Sequence, residues 1–191
     1  TLNIKVIDLP QFTQSPVGVT TCINGSANFI AKVQPTTAGT PFGFQWLKNS
    51  TTYTGTGIVS DEKLSLSNIQ AADAGYYSLQ ASNACGIATS ATGKLTVVAA
   101  PPIITQQPIA FSTCTGAQNT VSIIATTEDN TLSYSWFKNG NAIANEVTSQ
   151  LIFNTIATTD AGTYKAVVTN GCGLSTTSNN FVVVVKEKVS L

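Results

Sequence analysis

The chain states one pattern twice. Trp46-Leu47-Lys48-Asn49-Ser50 is matched by Trp136-Phe137-Lys138-Asn139-Gly140. Leu64-x-Leu66-x-x-Ile69-x-x-x-Asp73-x-Gly75-x-Tyr77 is matched by Leu151-x-Phe153-x-x-Ile156-x-x-x-Asp160-x-Gly162-x-Tyr164. Ahead of these, Pro10-Gln11-Phe12-Thr13-Gln14-Ser15-Pro16 lines up with Pro102-Ile103-Ile104-Thr105-Gln106-Gln107-Pro108. Eight residues behind each tyrosine stands a Cys-Gly pair, Cys85-Gly86 and Cys172-Gly173. Offsets kept across unlike residues indicate one fold used twice, with a unit of about 90 residues that can bury a core of its own. The copies meet at Ala99-Ala100-Pro101-Pro102, where two prolines remove backbone donors and favour extended chain. The pattern therefore predicts one domain over 1–99 and a second over 100–191.

Within each copy the apolar period is two. Phe29, Ala31 and Val33 alternate with Ile30 and Lys32, and Val121, Ile123 and Ala125 repeat that set. Turn residues recur about every 8–12 positions, as in a β-sandwich, and Asn139-Gly140 and Asn170-Gly171 tolerate positive φ and read as hairpin turns. No stretch carries helical periodicity. The expected class is all-β, two tandem sandwiches joined by a short proline-containing linker.

Composition narrows the chemistry. Lys+Arg and Asp+Glu are nine each and charged residues are 9% of the chain, against about 25% in ordinary soluble domains. A cationic patch is what a nucleic-acid partner requires, so none is expected. His, Met and Arg are absent. Ser-His-Asp and Cys-His catalysis and His-ligated metals are thus closed off, and no enzyme, cofactor or metal is expected. The longest aliphatic run, Phe181 to Val185, has a strand's length and not the ~20 residues of a spanning helix. Thr1 to Pro10 lacks the basic head and apolar stretch of a signal peptide; its alternating Leu2, Ile4 and Val6 read as the last strand of a preceding domain or as a terminal strand added to the first.

These residues resemble the immunoglobulin superfamily, most closely its intermediate-type domains. The resemblance rests on a third-strand Trp (Trp46, Trp136), a Leu-x-hydrophobic fifth strand, the Asp-x-Gly-x-Tyr corner, and the turn Asn83-Ala84-Cys85-Gly86. It implies that Trp46 and Trp136 are core residues. It implies that Tyr77 and Tyr164 bury their rings while their hydroxyls bond backbone at a strand corner. Asp73 and Asp160 would accept hydrogen bonds there, and Gly75 and Gly162 would allow close approach. The chain departs from the family where an inter-sheet disulfide is usual: Leu79 and Ala166 stand two residues after the corner tyrosines. Ig-like repeats of bacterial surface and secreted proteins often lack that bridge, and this chain is similar to them.

Two cysteines per copy, with no Cys-x-x-Cys, point to disulfides in an oxidising compartment. The favoured pairing is within domains, Cys22 with Cys85 and Cys114 with Cys172. The alternative, raised because the first strand of such a sandwich leaves Cys22 far from Cys85, is a link between domains such as Cys22 to Cys172.

As binding residues, Tyr53 and Phe42 are the candidates, on aromatic-bearing loops of the first copy. Tyr53 lies in Thr51-Thr52-Tyr53-Thr54-Gly55-Thr56-Gly57, a segment the second copy lacks. Phe44 shares a strand face with Trp46 and reads as core. The acidic pairs Asp61-Glu62 and Glu128-Asp129 read as solvated loop charge. The expected function is that of a non-catalytic extracellular spacer or adhesion stalk whose partners are neighbouring Ig-like domains. The competing expectation is a glycan- or protein-binding module using the Tyr53 loop.

Overall fold

The computed structural model describes residues 8–34, 43–55 and 57–188. Phe42 and the segment from Leu2 to Val6 lie outside the described residues. The chain divides into two compact units, Thr1–Ala99 and Ala100–Leu191.

Unit 1 contains β1 (Phe12–Gln14), β2 (Val19–Cys22), β3 (Ser26–Ile30), β4 (Lys32–Val33), β5 (Gly43–Lys48), β6 (Thr51–Thr52), β7 (Ile58–Ser60), β8 (Lys63–Ser67), β9 (Gly75–Asn83), β10 (Gly86–Thr89) and β11 (Gly93–Val98). One sheet has the order β2-β11-β9-β5-β6, with β10 also on β9; the other has the order β3-β8-β7, and β1 pairs with β4. The segments β1 and β2 are two halves of one strand that changes sheets. Pro16, between them, cannot donate to a ladder, and the strand crosses there. Ser15 Oγ accepts the Ala91 N–H at the same crossing, 3.2 Å. After the switch β2 runs parallel to β11, with Cys22 opposite Val98.

Unit 2 repeats the plan with β12 (Ile103–Gln106), β13 (Phe111–Cys114), β14 (Asn119–Ser122), β15 (Ile124–Thr126), β16 (Leu132–Lys138), β17 (Asn141–Ala142), β18 (Gln150–Phe153), β19 (Gly162–Asn170), β20 (Ser175–Thr177) and β21 (Phe181–Lys186). Its larger sheet has the order β13-β21-β19-β16-β17, with β20 on β19. Here β13 runs parallel to β21, with Cys114 opposite Lys186. Among the described residues unit 2 has no counterpart of β7, so β18 is an edge. That edge is closed locally: Thr148 Oγ1 both donates to the Gln150 carbonyl and accepts the Gln150 N–H, at 2.8 and 3.3 Å.

The period-two alternation puts one set of side chains between the sheets. In unit 1 these are Ala27, Phe29, Ala31, Leu64, Leu66 and Ile69 facing Trp46, Tyr77, Leu79, Leu95 and Val97. In unit 2 Val121, Ile123 and Leu151 face Trp136, Tyr164, Ala166, Val168, Phe181 and Val183. Each large side chain buried this way contributes roughly 1.5–3 kcal/mol. At the place of the missing disulfide, Trp46 is registered against Leu79 and Trp136 against Ala166. A buried serine finishes that layer. Ser90 Oγ accepts the Leu79 N–H (3.0 Å) and donates to the Ala91 carbonyl (2.8 Å). Ser178 does the same with Ala166 and Asn179, each at 2.9 Å.

The turn expected at Asn170-Gly171 differs in detail. Asn170 ends β19 as a buried residue, and the left-handed position falls on Gly173 (φ 77°). Asn170 instead uses its side chain: Oδ1 accepts the N–H groups of Cys172 and Leu174, both at 3.0 Å. The turn at Asn139-Gly140 has both residues at positive φ, 49° and 86°.

Candidate functional site

Both units build the same corner from the same residues. A three-residue 3₁₀ turn, Ala71–Asp73 or Thr158–Asp160, precedes the long strand β9 or β19. Its aspartate accepts the backbone N–H three residues upstream: Gln70 N–H to Asp73 Oδ2 at 2.8 Å, and Ala157 N–H to Asp160 Oδ2 at 2.9 Å. Tyr77 and Tyr164 donate their hydroxyls to the carbonyls of Asp73 and Asp160, both at 2.7 Å. Burial foremost, then the neighbouring carboxylate, raises both phenols; Tyr164 is pushed up to about 12, and Tyr77 lies higher still, with Tyr53 adding to the effect. At Gly75 and Gly162 a Cβ would stand 2.9 and 2.8 Å from the Oδ1 of Asn49 and Asn139. Only hydrogen fits there.

The asparagines belong to a device that the sequence shows without explaining. In Trp-x-Lys-Asn, the asparagine Oδ1 accepts the N–H of Tyr76 or Thr163, each at 2.9 Å. The lysine before it reaches over the corner tyrosine, Lys48 Nζ lying 5.9 Å from the Tyr77 ring centre and Lys138 Nζ 5.7 Å from that of Tyr164. Each ammonium also donates to a carbonyl of the 3₁₀ turn, Ala72 or Thr159. The repeat of Lys-Asn at the same offset from Trp was the signal for this role.

The structure places Tyr53 against the core of unit 1, half-buried, with its ring edge-on to Tyr77 at 5.9 Å. Its hydroxyl accepts the Gly57 N–H at 3.2 Å and so fastens its own loop. A ring held this way covers the sandwich edge and is not presented as a platform. Trp46 and Trp136 are fully buried. They differ in one respect: Trp136 Nε1–H donates to the Thr148 carbonyl at 2.9 Å, whereas buried Trp46 Nε1 has no partner among the described residues.

The acidic pairs are structural on one side. Glu62 Oε1 accepts the Val33 N–H at 2.8 Å, and Oε2 lies 3.9 Å from Lys32 Nζ. Glu62 and Lys32, together with Ile30, Phe44, Ser60, Asp61 and Lys63, line an open depression of about 520 Å³. It brings together charges of both signs but no nucleophile beside a base. Asp129 accepts the N–H groups of Thr131 (3.1 Å) and Gly171 (2.9 Å). Desolvation opposes its ionisation, but these hydrogen bonds outweigh it and hold the carboxyl below its ordinary range. Among the described residues no group of three or more His, Cys, Asp or Glu could hold a metal ion. Among them no helix is long and apolar enough to cross a membrane.

The expected pairing of cysteines within domains is corrected by the topology. Cys22 sits at the end of β2 beside Val98, beyond the Leu95–Gly75 pair where β9 begins, while Cys85 follows the far end of β9. The nine residues of β9 alone span about 26 Å, whereas bridged Cα atoms lie within about 7 Å. In unit 2, β19 separates Cys114 from Cys172 in the same way. Cys22 and Cys172 are each disulfide-bonded, and Cys114 is an exposed thiol.

Residues 94–185 match the Immunoglobulin domain family. No curated protein sequence matches the chain. Among solved structures, an I-band fragment of titin is similar at 22% identity with a TM-score of 0.59, covering 93% of this chain and 66% of the fragment. This chain thus spans just under two thirds of that fragment. Extracellular domains 3–5 of Drosophila OTK align at 20% identity with a TM-score of 0.49, over 93% of this chain and 62% of that one. The tandem Ig repeats of Dlar align at 23% identity with a TM-score of 0.43, over 94% and 98%. The titin likeness shows the fold: each unit is an Ig-like sandwich, two in tandem. The family match lies over the second unit and the last strand of the first, and the titin likeness adds the fold of the whole.

Proposed function

We propose that this chain is a non-catalytic module of a larger surface or secreted protein, of the kind bacteria build from Ig-like repeats, and that it acts as a spacer or adhesion stalk. One observation carries the reading: the polar groups that could serve as a site are taken up by the fold in both units. The tyrosine hydroxyls, the corner aspartates, the asparagine amides and the lysines of Trp-x-Lys-Asn all bond backbone within their own sandwich. Its partners on this reading are neighbouring Ig-like domains of the same polypeptide. An extracellular location accords with the disulfide-bonded cysteines. The competing reading, recognition through the Tyr53 loop, is weakened by the packing of Tyr53 into the sandwich edge.

The test is binding of the folded chain to a broad panel of polysaccharides and cell-surface proteins. No saturable binding is expected. Saturable binding that survives high salt contradicts the spacer reading and moves the chain into the recognition class.

A further inference from the structure

An asparagine followed by glycine exposes its side-chain amide to attack by the next backbone nitrogen, because glycine places no side chain beside that nitrogen. The chain has three such pairs, Asn24-Gly25, Asn139-Gly140 and Asn170-Gly171. Attack requires the glycine N–H to be free to lose its proton, and the fold occupies two of the three. Gly25 N–H donates to the Cys22 carbonyl at 3.0 Å. A Cβ at Gly25 would collide with Thr21 Oγ1 and stand 2.8 Å from that carbonyl, so the approach is also crowded. Gly171 N–H donates to Asp129 Oδ2 at 2.9 Å. Asn170 before it is buried, and its Oδ1 holds the N–H groups of Cys172 and Leu174. Gly140 differs on each count. Its N–H has no hydrogen-bond partner among the described residues, and nothing lies within 4 Å of its Cβ position. Asn139 and Gly140 are both exposed. Asn139 Oδ1 accepts the Thr163 N–H at 2.9 Å, which draws electron density from Cγ, the atom attacked.

We propose that Asn139 is a self-modifying site, at which the chain converts its own amide to a carboxylate with water as the only co-reactant. The inference stands on the placement of the three glycine N–H groups and does not depend on the spacer reading. The Gly140 nitrogen gives its proton to solvent base and attacks Asn139 Cγ. A C–N bond forms and closes a five-membered succinimide. The Cγ–Nδ2 bond breaks, and Nδ2 takes a proton from water and leaves as ammonia. Water then adds to one of the two ring carbonyls and reopens the ring, to aspartate at one and to isoaspartate at the other. An amide and water become a carboxylate and ammonium, with nothing oxidised or reduced. The aspartate keeps an oxygen for the Thr163 N–H. The isoaspartate adds a carbon to the main chain of the two-residue turn that sets Lys138 opposite Asn141, and shortens the side chain that reaches Thr163. Unit 1 is exempt at the same place, because Ser50 stands there and puts a side chain beside the nitrogen.

The folded chain is held at mildly alkaline pH beside the same chain in concentrated urea, for the time that converts all three Asn-Gly pairs in urea. Both are digested, and each asparagine is scored as amide, aspartate or isoaspartate by mass and elution, with Asn139→Asp as the standard for the aspartate product. Expected in the folded chain is acid at residue 139 with Asn24 and Asn170 still amide, one negative charge gained per chain on ion exchange and one ammonia released. Gly140→Ser, its fold checked by circular dichroism, is expected to keep the amide over the same time. Asn24 and Asn170 report any unfolding, since their glycine N–H groups are released only then. The proposal is overturned if Asn139 stays amide in the folded chain, or if Asn24 or Asn170 converts there as fast as Asn139. It is equally overturned if folded Gly140→Ser converts at the rate of the parent chain.

Discussion

Ser50 and Gly140 occupy the same place in the two units, the second residue of the turn after Trp-x-Lys-Asn. Both adopt positive φ, 66° and 86°, yet only one of them is glycine. A serine Cβ is strained in that region, and nothing lies within 4 Å of the Cβ position at Gly140. The difference is therefore one of backbone conformation alone. Ser50→Gly is expected to stabilise unit 1 by about 1 kcal/mol and Gly140→Ser to destabilise unit 2 by a similar amount. Denaturant titration of the two variants reads both, and equal signs contradict the assignment. The tryptophans make a second matched pair. Trp136→Phe loses the bond to the Thr148 carbonyl, while Trp46→Phe removes a donor that has no partner among the described residues. Unfolding measurements are expected to show the Trp136 variant losing about 1 kcal/mol more than the Trp46 variant. A larger loss at Trp46 contradicts it. At this scale the sequence was readable wherever both units kept one residue at one offset, as with Trp, Asp, Gly and Tyr. Ser90 and Ser178 escaped because they follow Cys85 and Cys172 at different distances, so no fixed offset marks them.

At the scale of an element, the corner joining the 3₁₀ turn to β9 or β19 is the most heavily bonded piece of each unit. Its tyrosine must stay protonated to donate. The phenol of Tyr164 is raised above the ordinary value of about 10, so its contribution is whole below that pH and is lost as pH climbs toward about 12. Chemical denaturation of the chain at rising pH is expected to show unit 2 weakening across that window. Tyr164→Phe is expected to be less stable at neutral pH and to lack that part of the alkaline decline. An unchanged alkaline limb in the variant contradicts the corner's role. Acid acts elsewhere, on the loop that Asp129 ties to the hairpin through Gly171. Its carboxyl is held below the ordinary range, so its stabilising bonds are present above that range and lost as pH falls through the lowered value. Asp129→Asn is expected to show a shallower loss of unit 2 stability on acidification than the parent chain, and an identical acid limb contradicts it. The elements themselves were legible from alternation. The sheet switch of the first strand was not, although Pro16 marks it, because a proline announces a break without saying which sheet receives the next segment.

At the scale of the whole molecule, the cysteines pulled the reading two ways. One early and one late residue per unit suggested a bridge inside it, while the sandwich topology already set Cys22 far from Cys85. The register of β2 on β11 and the length of β9 decide for the topology and place the two at opposite poles. Tyr53 was similarly ambiguous: its segment has no counterpart in the second copy, so no pattern distinguishes a loop aromatic that faces solvent from one that folds back on Tyr77. The spacer proposal rests on the same economy of groups. A chain with 9% charged residues bonds its corner tyrosines, aspartates, lysines and asparagines to its own backbone, in two units that each close a core. The central claim is that each unit closes its own core and folds as a sandwich by itself. Pulling single molecules from both ends in the presence of reductant tests it most directly. The account predicts two separate unfolding events, each releasing about 30 nm of chain for a unit of about 90 residues. A single event releasing about 60 nm at once, or smooth extension without a force peak, contradicts it.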